Sequence, residues 1–227
     1  MEKEGFILIN KPVGTTSHDV IDKMREITKI KKIGHSGTLD PLASGLLILG
    51  IGRKATKKLN QFQKLDKEYL AKIKLGIISD TFDKEGKIKK IEYEKKPSLE
   101  EVKKVIQQFK GEIWQRPPLF SAKKVKGKKL YQLARKGIKI EPKKQKIKIY
   151  KIEIIKYNFP LLELKIHCSS GTYIRSLAND IGEKLKTGGC LESLKRTKIG
   201  NYSLENALKL DEITPQNWLK FLINCTI

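Results

Sequence analysis

Tyr69-Leu70-Ala71-Lys72-Ile73-Lys74-Leu75 alternates apolar and polar side chains, the period of a strand with one face buried and one in water. Asp83-Lys84-Glu85-Gly86 follows as a turn and Ile88 to Tyr93 as a second strand, which predicts a β-hairpin. Two further strands are expected around Ile147 to Ile155 and Leu161 to Cys168. Helical patterns lie between these segments, so the class is α+β, with a largely antiparallel mixed sheet flanked by helices and loops.

Working outward, Phe6-Ile7-Leu8-Ile9 reads as a buried strand ended by the turn Asn10 to Gly14. Ser17 is placed to cap a helix carrying Val20, Ile21, Met24 and Ile27 at helical spacing. Gly34 to Pro41 lacks periodicity and reads as a loop before the strand Leu46 to Leu49, and Lys54 to Gln63 as a helix. Ser98-Leu99-Glu100-Glu101 is a capping-box pattern opening a helix through Phe109, with Gly111 as its stop. Lys128 to Lys136 reads as a short helix ended by Gly137, and Thr172 to Leu185 as a longer one closed by Gly188-Gly189. Asp211 to Ile223 reads as a terminal helix with Trp218, Leu219 and Leu222 on its apolar side.

The 227 residues carry 48 Lys and Arg against 25 Asp and Glu, a formal net charge of +23. At 39% hydrophobic the chain can bury a core, which excludes a charged disordered tail. Cys168, Cys190 and Cys225 are odd in number and widely spaced, without metal-ligand spacing, and fit a reducing compartment. The longest apolar stretch, Leu46 to Gly52, is far below the ~18 residues of a membrane span, and Glu2 and Glu4 do not suit a secretory leader. The expected location is the cytoplasm. The charge is concentrated: Lys110 to Lys156 holds 14 Lys and 2 Arg against three Glu, a net +13. That run is a solvated face or a nucleic-acid surface. Interleaved Trp114, Phe120, Tyr131 and Tyr150, with the stiff entry Arg116-Pro117-Pro118, favour nucleic acid, because lysines supply phosphate contacts and aromatic faces stack on bases.

Within Gly34-His35-Ser36-Gly37-Thr38-Leu39-Asp40-Pro41, Asp40 can cap a turn begun by Pro41. Alternatively the glycines allow a ligand close to the backbone, while Asp40 presents a carboxylate and His35 a switchable ring. No second acid or metal-ligand pattern stands near Asp40. The residues alone leave both readings open.

The stretch His35-Ser36-Gly37-Thr38-Leu39-Asp40-Pro41-Leu42-Ala43-Ser44-Gly45-Leu46-Leu47 resembles the signature of the TruB-type tRNA pseudouridine-55 synthases. Lys11-Pro12-Val13-Gly14, Lys67-Glu68-Tyr69, Arg116-Pro117-Pro118 with Ser121-Ala122, Gly127-Lys128-Lys129-Leu130-Tyr131, and Gly171-Thr172-Tyr173-Ile174-Arg175 follow in the family's order, covering about residues 5 to 200. The resemblance implies the pseudouridine synthase fold and an isomerase that converts a uridine in the tRNA T loop to pseudouridine without cofactor or metal. It assigns Asp40 as the essential carboxylate, Arg175 as its active-site arginine, and Tyr69 as the ring lying against the flipped base and a candidate for late proton transfer. Tyr173 and Leu194 match substrate-pocket positions, and His35 a histidine holding the rearranged loop. Gly171 and Lys11-Pro12 would shape backbone near the site. Arg116 to Gly137 matches a mobile thumb-like insertion, whose Lys123, Lys124, Lys126, Lys128 and Lys129 would meet RNA phosphates.

The expected organisation is a catalytic domain over 1–210 and a short tail over 211–227, with no room for the PUA-type domain that family members commonly carry. A lysine-rich surface could compensate for that domain, and its lack speaks against the guide-RNA-dependent relatives. The expected partner is the T stem-loop of tRNA, with no membrane, no obligatory protein partner and a monomeric state. Two other classes compete: an RNA-binding protein or tRNA-folding chaperone with a vestigial pocket, and a basic ribosome-associated structural protein. Neither gives a reason for Asp40, Tyr69 and Arg175 to stand together in one chain.

Overall fold

The computed structural model describes residues 3–121, 123–125, 127–135, 137–138 and 140–224, with the backbone alone for Lys124, Lys129 and Arg135. The chain divides into two compact units, Met1–Tyr69 with Lys195–Ile227, and Leu70–Leu194.

The first unit contains β1 (Gly5–Lys11), α1 (Ser17–Thr28), β2 (Ile33–His35), β3 (Ala43–Ile51), α2 (Gly52–Lys64) and the opening residues of β4 (Lys67–Leu75). β1 and β3 pair antiparallel from Gly5↔Ile51 to Lys11↔Gly45, and β2 pairs antiparallel with β3. Their continuous apolar sequences are explained by helices on both faces. Ile7, Ile9, Leu47 and Leu49 face Val20, Ile21, Met24 and Ile27 of α1, while Phe6, Leu8, Leu46 and Ile48 face Ala55, Leu59 and Phe62 of α2.

The second unit contains β5 (Ile77–Ser79), β6 (Ile88–Lys90), α3 (Leu99–Gln107), β7 (Gly111–Gln115), β8 (Lys124–Val125), β9 (Lys128–Lys129), α4 (Leu130–Arg135), β10 (Gln145–Asn158), β11 (Leu161–Cys168) and α5 (Ile174–Lys184), and most of β12 (Gly189–Ile199). β10 forms antiparallel ladders with β11 on one side and β7 on the other. Its buried Ile147, Ile149 and Ile152 lie among exposed lysines, so this sheet has one wet face, unlike β1 and β3. The end of β12 returns to the first unit, where β13 (Tyr202–Ser203) pairs antiparallel with it and β14 (Leu208–Lys209) pairs parallel with β1. Among the described residues no helix is long and apolar enough to cross a membrane.

Several local expectations change. α1 is capped by Thr16 in a capping box with Asp19, not by Ser17, whose hydroxyl is buried elsewhere. Gly34 and His35, expected in a loop, belong to the strand β2. The Ile88 segment pairs with β5 rather than with Tyr69–Leu75, because Gly76, at φ 83°, ends β4 before the turn. The capping box at Ser98 forms as expected, but α3 stops at Gln107 and Gly111 opens β7. Lys128 and Lys129 form a two-residue hairpin with β8 before the helix starts at Leu130. The expected terminal helix is instead two 3-10 turns, Leu210–Glu212 and Trp218–Phe221. Pro215 has no N–H to continue a helix, and the Asn217 side chain binds the backbone of Thr214 and Glu212. Trp218 is buried as its apolar spacing suggests, with Leu219 and Leu222 packed against the α1 side of the core.

Candidate active site

The loop after β2 carries His35 and Asp40 and is held mainly through its backbone. Ser17 Oγ accepts from Leu39 N–H at 2.9 Å and donates to Leu39 C=O at 3.2 Å. Gly14 N–H donates to Pro41 C=O at 2.8 Å, Ser36 N–H to Ile48 C=O at 2.9 Å, and Ala43 N–H closes a turn onto Asp40 C=O at 3.0 Å. The backbone therefore has little freedom, while the Asp40 side chain remains half-buried. His35 Nδ1 accepts from Gly37 N–H at 3.2 Å, which leaves Nε2 to carry the ring proton, and the exposed His18 ring stands edge-on at 6.1 Å. Lys11 is fully buried in this region, its ammonium donating to Pro12 C=O and Thr15 C=O at 2.8 and 2.7 Å. That shapes the turn leading into α1 and does not present a free cation.

Tyr69, on β4, is 8% exposed. Arg196, on β12 in the same unit, is 2% exposed, and its guanidinium interacts with the Tyr69 hydroxyl. Burial lowers the Arg196 pKa and the contact with Tyr69 opposes that shift.

In the second unit, α5 opens at Tyr173, which has no side-chain cap of its own. The buried amide of Gln115 substitutes for one, donating to Tyr173 C=O at 3.0 Å and accepting from Tyr173 N–H at 2.8 Å. Ser176 Oγ donates to Arg116 C=O at 2.8 Å. Arg175, in the first turn, is buried and donates to Asp83 Oδ2 at 3.1 Å, Thr81 C=O at 3.1 Å and Phe120 C=O at 2.9 Å. Asp83 is 2% exposed, and its other oxygen accepts from Thr81 Oγ1 at 2.6 Å and Glu85 N–H at 3.1 Å. This charge-assisted network anchors the guanidinium. Leu194 is buried at the middle of β12.

Thus His35, Asp40 and Tyr69 stand in the first unit, and Tyr173, Arg175 and Leu194 in the second. Of the thumb lysines, Lys128 is exposed, whereas Lys123 is half-buried and donates to Gln145, whose amide donates to Gly171 C=O at 2.7 Å. The side chains of Lys124 and Lys129, and the whole of Lys126, lie outside the described residues. Three residues went unread in the sequence. Asp83 looked like an ordinary turn acid and Gln115 carried no signal. Arg196 was marked only by alternation with the inward-facing Leu194. Among the described residues no group of three His, Cys, Asp or Glu side chains could hold a metal.

A model of the TruB family pseudouridylate synthase N-terminal domain matches residues 25–174, and one of the tRNA pseudouridylate synthase B C-terminal domain matches residues 175–220. The chain belongs to the TruB family. Among TruB relatives, the tRNA pseudouridine synthase B of Clostridium tetani is 50% identical over 219 residues, covering 96% of this chain and 75% of that protein. That of Endomicrobium trichonymphae is 42% identical over 209 residues, covering 92% and 90%. The archaeal box H/ACA sRNP Nop10-Cbf5 complex is a structural neighbour with TM-score 0.70 and 26% identity, and a Cbf5-Nop10-Gar1 complex is another with TM-score 0.70 and 29% identity. This TruB chain spans about half of those two chains, 55% and 52%. The fold is that of the pseudouridine synthases, as the sequence resemblance implied.

Proposed function

We propose that this pseudouridine synthase isomerises uridine 55 in the T loop of tRNA. The observation that carries the reading is the loop 36–42: its backbone is held by hydrogen bonds from three directions, while it presents one half-buried carboxylate, Asp40, in the segment that resembles the family signature. A rigid backbone with an accessible acid suits positioned attack or proton abstraction at a sugar. In the reaction the N1–C1′ bond breaks, a C5–C1′ bond forms, the C5 hydrogen leaves to solvent and N1 gains a proton. Asp40 acts on the sugar carbon skeleton, either as nucleophile or as base.

The resemblance gives Arg175 the part of keeping that carboxylate ionised, since a nearby cation favours the charged form. Asp83 anchors the guanidinium. Tyr69 stacks on the flipped base, offsetting a cost of a few kcal/mol for unstacking it, and Tyr173 and Leu194 complete the pocket. His35 holds the opened loop of the RNA. The basic span over 110–156 positions the T stem-loop through phosphates, which fix register without reading sequence. We place the enzyme in the cytoplasm as a monomer that works without cofactor, metal or obligatory protein partner, its catalytic domain spanning 1–210 with the thumb at 116–137.

The test is tritium release from tRNA transcript labelled at uridine C5, for the intact protein and Asp40→Asn, in chelator. Release by the intact protein and loss of at least about 1000-fold in the variant are expected, as for removal of a nucleophile or essential base. Binding of tRNA without release from either protein would leave only an RNA-binding role.

A further inference from the structure

We propose that Arg196 is a positioning residue of the active site, one guanidinium tying the Asp40 loop to β3 and lying against the Tyr69 phenol. The inference rests on the roles proposed above for Asp40 and Tyr69. Nε of Arg196 donates to Leu46 C=O at 2.8 Å and Nη2 to Gly37 C=O at 3.1 Å. Gly37 lies three residues before Asp40, and Leu39 between them is clamped by Ser17. The guanidinium therefore holds the near end of the loop while Ser17 holds its middle.

The backbone of Arg196 has no room to shift. A Cβ on Gly45 of β3 would lie 2.3 Å from Arg196 C=O and 2.8 Å from its N, so the two strands meet here only because residue 45 is glycine. At Gly37, a Cβ would stand 3.8 Å from Arg196 Nη1, so the head group lies directly against the loop.

A charge at 2% exposure is costly to hold, and an apolar side chain would fill the same space with less desolvation. Packing therefore does not account for arginine at 196, whereas fixing two reacting groups does.

The test uses full-length Arg196→Lys, Arg196→Gln and Tyr69→Phe, and the double variants. Single-turnover tritium release is expected to fall by about 100-fold in Arg196→Lys, the scale of a small misplacement of reacting groups. Affinity for tRNA should stay within about twofold, because a side chain 2% exposed offers RNA little surface. Combining Arg196→Lys with Tyr69→Phe should cost less than the product of the single losses, since both remove one contact. Independently of activity, ¹³C-tyrosine spectra of the RNA-free protein should show the Tyr69 titration at higher pH in Arg196→Gln, because a cation favouring phenolate is gone. If Arg196→Gln does not fold, Arg196→Lys carries that measurement, with a smaller displacement. A wild-type rate in Arg196→Lys, multiplicative losses, or an unmoved Tyr69 titration would overturn the inference. If the intact protein releases no tritium, the proposed function fails instead, and the Tyr69 titration still decides whether Arg196 holds the ring.

Discussion

Asp180 sits on α5 with its carboxyl largely withdrawn from water, and burial, helped by Glu183, pushes its pKa up to about 6 from the ordinary 3.8, although Asn179, Lys144 and Arg116 act the other way. A raised pKa on folding means that the folded state favours the protonated acid. Its contribution to stability is complete below the ordinary carboxylate range and is lost as pH rises through about 6. Thermal melts should therefore show a decline between pH 4 and 7 that is flatter in Asp180→Asn. At pH 7.5 that variant should be more stable by about 1 kcal/mol, after allowing for solvent screening of a part-exposed group. A melting temperature at pH 7.5 no higher than that of the intact protein would show that the carboxyl is hydrated in solution. Asp83 differs in its partners. It is more deeply buried than Asp180, but it is matched by Arg175, the Thr81 hydroxyl and the Glu85 amide. Sequence marks both only as acids. What separates them is whether a residue 92 positions away arrives as a partner.

At the scale of elements, α5 and the start of β12 meet through glycines. A Cβ on Gly182 would lie 2.1 Å from Gly189 N and 2.2 Å from Gly188 C, both backbone atoms that cannot swing aside. By helix propensity alone Gly182→Ala should stabilise by about 1 kcal/mol. The packing reverses the sign, and a loss of about 3 kcal/mol is expected, read as a fall in melting temperature of roughly 6–12 °C. An unchanged or raised melting temperature would mean that the two segments separate readily. The same contrast between local signal and packing explains which elements were legible. Ser98 and Glu101 form both bonds of their capping box because both partners lie within three residues. The strand partner of Ile88–Lys90 was misread because pairing depends on where β4 ends, and Gly76 sets that point. The tail from Asp211 showed apolar spacing that suits a helix, and its Trp218 is buried, but the backbone follows Pro215 and the Asn217 side chain into 3-10 turns.

For the whole molecule, a net charge of +23, with more than half of it between residues 110 and 156, makes long-range attraction to a polyanion the dominant force before contact. If at least six phosphates are neutralised, the tRNA dissociation constant should rise by about 1000-fold between 50 and 200 mM salt. The single-turnover rate at saturating RNA should change little. A salt-insensitive affinity would mean that shape and base contacts, not the lysines, hold the RNA. Much of this molecule could be read before any coordinates. The mixed, mostly antiparallel sheet follows from alternation along Tyr69–Leu75 and Leu161–Cys168, and from the unbroken apolar runs of β1 and β3. The expectation of RNA binding follows from charge, and the family from contiguous motifs. These are properties of neighbours in the chain, and period, capping and charge density act over a few residues. Tertiary structure alone decided that Asp83 anchors Arg175, that Gln115 caps α5, and that Arg196 reaches Gly37 and Leu46 from a segment to which the sequence assigned no element. Buried polar groups take whatever partners the fold delivers, and those partners lie 58 to 159 residues away.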